Sequence, residues 1–180
     1  VTLSASNVHP DVSATVDYAS IVGGCVSCST VQGARLAGVT PSGNMSHGLA
    51  LLMSDTVTAM KAFDRHMPHE IPRVAIVDTF KDEAEESLNV ASALKEKLRG
   101  VRLDTPKERG GVTIGLVKEI RSRLDQAGFD HVEIMVSGGF TPDKIGEFVE
   151  ANAPVNVFGV GSFIANSSPH QYSANICEID

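Results

Sequence analysis

The chain has 180 residues, 42% of them hydrophobic, and its 15 lysines and arginines against 22 aspartates and glutamates give a net charge of −7. That length supports one sizeable core and a single domain, and 16 glycines with 8 prolines do not make a low-complexity chain. The acidic balance argues against nucleic acid as a partner, because phosphate backbones attract basic surfaces. A metal-complexed anion can still bind, since the local field at a site decides that.

No run approaches the length of a membrane span, and no basic-then-apolar signal opens the chain. Cys25, Cys28 and Cys177 are an odd and sparse set, which suits a reducing compartment and makes the cytoplasm the expected location. The chain starts at Val1 inside an apolar stretch and ends at Asp180 just after another, so a piece of a longer protein is expected.

In chain order, the pattern predicts a weak strand at residues 1–5 and a strand at 18–22 that ends in Gly23-Gly24. A helix follows at 29–36, then the turn-forming run Ser42-Gly43-Asn44-Met45-Ser46-His47-Gly48 before an apolar helical stretch, then a helix at 55–66. Strands at 73–77, 100–103, 132–136 and 155–160 alternate with helices at 83–98, 112–127 and 143–151, and a weak strand lies at 175–179. Continuous apolar runs such as Val74-Ala75-Ile76-Val77 predict burial on both faces, as in a parallel sheet covered by helices. The helix from Glu83 carries acids at its start and Lys95, Lys97 and Arg99 near its end, complementing the macrodipole. Thr141 and Pro142 make a helix N-terminus, and Gly128 a helix C-terminus.

Repeated β-α units imply a parallel sheet with right-handed crossovers. A barrel and an open doubly wound sheet both fit that alternation. The polar residues favour the barrel, because nearly every predicted strand ends in a small or chemically capable group. An open sheet binds mainly at one switch point, whereas a barrel gathers residues from all its strand ends. The expected fold is therefore α/β, a TIM-like barrel, incomplete or irregular, spanning residues 1–180 as a single domain.

Two glycine-rich turns follow the last long strands, at Ser137-Gly138-Gly139 and Gly159-Val160-Gly161-Ser162. Glycine lets backbone N–H groups approach an anion closely, and late strand-end loops of barrels are common phosphate sites. Tight turns that need glycine for backbone geometry alone are the plainer alternative. Asp78, Arg102 and Asp104 each sit at a strand end, where a charge is expensive unless used or paired. They form either a structural ion pair or a site in which the aspartates hold sugar hydroxyls or magnesium and Arg102 meets an anion. His47, among small residues, has room to act.

Gly23-Gly24, Gly43-x-Met45-x-His47, Val77-Asp78-Thr79-Phe80, Val101-Arg102-Leu103-Asp104-Thr105, Val136-Ser137-Gly138-Gly139 and Phe158-Gly159-Val160-Gly161 together resemble the motif series of nicotinate phosphoribosyltransferases. The order holds from His9-Pro10 to the end, covering the barrel portion of that family. The resemblance implies formation of nicotinate mononucleotide and pyrophosphate from nicotinate and phosphoribosyl pyrophosphate, with Mg2+ assisting and ATP hydrolysis coupled. It implies that His47 is phosphorylated by ATP and that Asp78 and Asp104 lie near the ribose and pyrophosphate. Arg102 and Thr105 would meet substrate, and Ser137, Gly138, Gly139, Gly159, Gly161 and Ser162 would hold the 5′-phosphate. No residue is assigned as a dedicated metal ligand. Neither nucleic acid nor membrane is an expected partner, and a homodimer or larger homo-oligomer is implied. So are a missing N-terminal domain and a missing C-terminal extension.

Some positions depart from the family pattern: Ser6-Asn7 replace arginines, Val26 an aspartate and Asn44 a threonine. They leave open a catalytically silent phosphosugar-binding relative, beside a quinolinate- or nicotinamide-phosphoribosyltransferase-like enzyme. An unrelated barrel isomerase or aldolase that shares only the phosphate loops is a further reading; a strand-end Schiff-base lysine would favour it, and none is found. Cys25 and Cys28, with no second such pair, read as structural or incidental, and His66 and His69 as surface residues. Residues 81–86 read as a solvated helix start, and 107–111 as a loop able to close on a substrate phosphate.

Overall fold

The computed structural model describes residues 1–166 and Cys177. Four parallel strands, β1 (Val74–Ile76), β2 (Gly100–Leu103), β3 (Glu133–Val136) and β4 (Val157–Phe158), lie side by side in sequence order. Helices α5 (Glu83–Leu94), α6 (Ile114–Gln126) and α7 (Pro142–Glu150) connect them. Before β1 come α1 (Pro10–Val22), α2 (Val31–Ala37), α3 (His47–Met53) and α4 (Thr56–His66), and after β4 a short α8 (Ser162–Ala165). Among the described residues no helix is long and apolar enough to cross a membrane.

The sheet closes on itself through three segments too short to count as strands. Leu3 N–H donates to Val160 O at 2.7 Å, and Val160 N–H donates to Val1 O at 3.0 Å. Thr2 N–H donates to Ser27 O at 3.1 Å, Ser42 N–H to Cys28 O at 2.8 Å, and Met45 N–H to Val74 O at 3.3 Å. Hydrogen bonds therefore run from β1 through β4, across residues 1–3, 27–28 and 42–45, and back to β1. The irregular barrel predicted from sequence is present. Val101, Leu103, Ile134 and Val136 join Val90, Ile120 and Phe148 in the continuous core under the covering helices.

The predicted strands at 73–77, 100–103, 132–136 and 155–160 coincide with β1 to β4, and the predicted helices with α2 and α4 to α7. Thr141 caps α7 by accepting from Lys144 N–H, with Pro142 in the first turn, as the sequence indicates. The helix from Glu83 stops at Leu94, where Lys95 turns to φ +51°, and a 3₁₀ turn (Lys95–Lys97) leads into β2. The weak strand at 1–5 reduces to the Thr2 bridges, followed by a 3₁₀ turn (Ser4–Asn7). The weak strand at 175–179 lies outside the described residues apart from Cys177.

One predicted strand is wrong. Residues 18–22 form the last turns of α1, so Gly23-Gly24 end a helix, with Gly23 N–H bonded to Ala19 O at 2.9 Å. His9 caps this helix and Pro10 opens it. Packing then overrides the β-branched run that ends the helix: Asp17 is buried and accepts from Thr30 N–H at 2.8 Å. A Cβ on Gly33 of α2 would lie only 2.6 Å from Asp17 Cβ, so the two helices touch where Gly33 has no side chain.

Candidate functional site

Ladder bonds beyond the strand ends place the functional loops. Val77 N–H donates to Arg102 O at 3.2 Å, Ser137 N–H to Leu103 O at 2.9 Å, and Gly159 N–H to Val136 O at 2.7 Å. Asp78, Asp104, Gly138 and Val160 consequently emerge at one rim of the barrel, joined there by Asn44 and His47 from the segment that closes onto β1.

Arg102 is at the centre of this rim. Its Nε donates to Ser137 Oγ at 2.8 Å, Nη1 to Asn44 Oδ1 at 3.1 Å and Nη2 to Asp104 Oδ2 at 3.1 Å. Ser137 Oγ lies 2.9 Å from Asp104 Oδ1, so one carboxylate is held at both oxygens. Side-chain exposures of 16% for Arg102 and 23% for Asp104 show an ion pair largely withdrawn from solvent yet open on one side. Such a pair costs desolvation free energy and is kept in place by its extra hydrogen bonds.

The open side is a cleft of about 210 Å³. Arg102, Asp104, Ser137, Gly138 and Gly139 form one wall, and Leu3, Ser6, Asn7, Gly159, Gly161 and Ser162 the other. Gly138 and Gly139 have φ +88° and +69°, a conformation that side chains rarely tolerate, and a Cβ on Gly138 would lie 3.0 Å from Asp104 Oδ1. Opposite, a Cβ on Gly161 would lie 3.1 Å from Leu3 O and from Asn7 Nδ2. The glycines thus leave backbone, not side chain, as the surface of a polar cup.

His47 and Asp78 stand beside the cleft. His47 Nε2 is 3.0 Å from Asp78 Oδ1, with side-chain exposures of 41% and 1%. That hydrogen bond raises the imidazole pKa above its usual value, against the opposing effect of burial. The carboxylate fixes the ring orientation, and among the described residues no partner reaches Nδ1.

The sequence reading misplaced or missed several residues. Thr105, expected to meet substrate, is buried, and its hydroxyl donates to Glu83 Oε1 at 2.8 Å, away from the cleft. Glu83 and Glu86, read as part of a solvated helix start, are both buried. Glu86 accepts from Phe80 N–H at 2.6 Å, Lys81 N–H at 2.7 Å and Thr56 Oγ1 at 2.6 Å, clamping the loop after β1. Glu83 also meets Arg109 Nη2 at 3.3 Å, while Arg109 Nη1 donates to Asp78 O at 3.4 Å. Arg109 is therefore a brace between loops, whereas Lys107 extends toward Gly139, its Cε 3.4 Å from where a Cβ on that residue would be. Nothing local marks Glu83, because its partners are 22 and 26 residues further along the chain.

A barrel with a glycine-lined polar cup at its strand ends has the α/β architecture in which late strand-end loops frequently hold a phosphate. The chain belongs to the family of the quinolinate phosphoribosyl transferase C-terminal domain, whose model matches residues 3–173. It is 30% identical over 174 residues to a nicotinate phosphoribosyltransferase of Mycobacterium tuberculosis, covering 94% of this chain and 36% of that protein. A Bacillus subtilis nicotinate phosphoribosyltransferase is 26% identical over 146 residues, covering 80% of this chain and 29% of that one. Among solved structures, a nicotinate-nucleotide pyrophosphorylase from Pyrococcus furiosus superposes with TM-score 0.87 at 41% identity, covering 93% of this chain and 42% of that chain. Human nicotinic acid phosphoribosyltransferase shares the fold, with TM-score 0.68 at 20% identity, over 89% of this chain and 42% of that one. The resemblance carried by the motif series holds, and the chain spans about a third of the length of the curated relatives it matches.

Proposed function

We propose that this chain is the phosphosugar-binding barrel of an enzyme that transfers the phosphoribosyl group of phosphoribosyl pyrophosphate to nicotinate, releasing pyrophosphate, in the salvage of NAD. The observation that carries this reading is the convergence of the two glycine turns with the Arg102–Asp104–Ser137 network on one cleft. Departure of pyrophosphate leaves an oxocarbenium-like ribose, so the chemistry asks for charge stabilisation and positioning more than for a strong base. Asp104 supplies negative charge that is already oriented by two partners, so little reorganisation accompanies the change in charge. Arg102 supplies positive charge at the same wall for the pyridine carboxylate or a departing anion.

Magnesium usually takes only one or two protein carboxylates and keeps substrate phosphates and waters as its other ligands. Among the described residues no group of three or more His, Cys, Asp or Glu gathers as a metal site. Asp104 at the cleft wall fits the first arrangement, as a carboxylate facing magnesium carried on pyrophosphate, where the ion would neutralise leaving-group charge. In this reading ATP phosphorylates His47 at Nδ1, the nitrogen that the Asp78 hydrogen bond leaves available. The enzyme would act in the cytoplasm as a homodimer or larger homo-oligomer, with residues 1–180 as one domain of a longer chain.

A second reading keeps the transfer and replaces nicotinate by quinolinate as the acceptor. It is supported by the description of the matching family. Calorimetry tests what both readings share. Phosphoribosyl pyrophosphate with magnesium should bind the purified chain, and Asp104→Asn should weaken binding by roughly tenfold or more. Absence of binding at millimolar ligand would overturn both. Assays with each acid as acceptor then separate them.

A further inference from the structure

The direction in which Arg102 points is not dictated by β2 alone. Val101, Leu103, Ile134 and Val136 face the covering helices, so the paired residues Gly100↔Glu133 and Arg102↔Met135 form two layers facing the barrel interior. The layer below Arg102 is hollow. Gly100 has no side chain, Glu133 turns to an ion pair with Arg99, and a cavity of about 160 Å³ remains, walled also by Val74 and Val157. An arginine has large rotamer freedom, and the backbone of β2 does not by itself keep the side chain out of that space.

Asn44 and Met135 separate the two. Both line the lower cavity, while Asn44 Oδ1 accepts from Arg102 Nη1 at 3.1 Å and Asn44 Nδ2 donates to Met135 Sδ at 3.6 Å. The reverse orientation of the amide would set its NH2 group against the N–H groups of the guanidinium. The next residue, Met45, is buried and its N–H donates to Val74 O at 3.3 Å, which fixes the backbone from which Asn44 reaches Arg102.

The oxygen that Asn44 presents is neutral, and that matters for charge. Arg102 uses one N–H each from Nε, Nη1 and Nη2 for Ser137, Asn44 and Asp104. Two of its five N–H groups therefore have no partner among the described residues. Of the three partners only Asp104 is charged, and Asp104 is itself shared with Ser137. A carboxylate in place of Asn44 would surround the guanidinium with two anions and weaken its attraction for a third.

We propose that Asn44 is a positioning residue that determines acceptor specificity: it holds Arg102 at the cleft through an uncharged oxygen, so that the two remaining N–H groups favour the carboxylate of a pyridine acid over the corresponding neutral amide. The inference rests on the phosphoribosyl-transfer reading and adds what separates acid from amide at that site. It also gives a role to a position at which the chain departs from the motif series.

Calorimetry on the full chain tests this, with nicotinate and nicotinamide as separate probes and phosphoribosyl pyrophosphate with magnesium as a third. The wild type should bind nicotinate more tightly than nicotinamide. Asn44→Ala should weaken nicotinate by roughly tenfold and leave phosphoribosyl pyrophosphate within about threefold. Asn44→Asp, which keeps the shape and the acceptor, should weaken nicotinate at least as much and leave nicotinamide within about threefold. Asn44→Thr, which restores a neutral side-chain oxygen, should recover part of the loss. Unchanged nicotinate affinity in Asn44→Ala or Asn44→Asp, with phosphoribosyl pyrophosphate still bound, would overturn the role of Asn44 and leave the function intact. Equal losses of all three probes in Asn44→Ala would show a structural role only and overturn it as well. A wild type that binds phosphoribosyl pyrophosphate but neither pyridine would overturn the acceptor assignment and keep the phosphosugar site. No binding of any probe by the wild type would overturn the inference together with the function.

Discussion

At the residue scale, the His47–Asp78 pair has a consequence that pH can reveal. A histidine whose pKa is raised on folding is stabilised in its charged form, so its contribution is fully present below the usual 6.5 and disappears as pH rises through the higher folded value. NMR titration of the His47 ring should give a midpoint above 6.5, and Asp78→Asn should bring it down toward that value. Equal midpoints in both proteins would show that the hydrogen bond does not govern the ring. Because the imidazole is 41% exposed, solvent screens the pair, and the signature belongs in the titration more than in global stability.

At the element scale, legibility followed the range of the interactions. Strands β1 to β4 were readable because each is a short apolar run between turn signals, and α7 because Thr141-Pro142 is a local start signal. The rim positions of Asp78, Arg102, Asp104 and Ser137 were readable for the same reason, since each follows from the strand that carries it. α1 was misread at 18–22 because a short apolar run has no period of its own; the usable signal was the His9-Pro10-Asp11 start some distance upstream. Glu83 and Thr105 were misassigned because what settles them is a contact across two loops that no local pattern encodes. Glu83→Ala would leave Thr105 and Arg109 without their shared acceptor, and should destabilise the protein by about 1–3 kcal/mol. Chemical denaturation would measure it, and a change below about 0.5 kcal/mol would mean that water replaces the carboxylate.

At the scale of the whole molecule, the barrel has two unlike halves. From β1 to β4 the strands pair through regular ladders, whereas residues 1–3, 27–28 and 42–45 close the ring through a few hydrogen bonds each. Leu3→Pro removes the N–H that donates to Val160 O, and should cost about 1–3 kcal/mol in thermal or chemical unfolding. Retention of wild-type stability would show that closure on this side does not depend on that bond.

The cleft straddles the junction of those halves, with Arg102 on β2 and Ser137 just past β3 on one side, and Leu3 of the thinly bonded segment with Asn7 of the turn that follows it on the other. A ligand seated there acts as a stitch across a seam. Its grip and the integrity of the ring are then thermodynamically linked: whatever tightens the seam spares the ligand some ordering entropy, and the ligand in turn holds the seam shut.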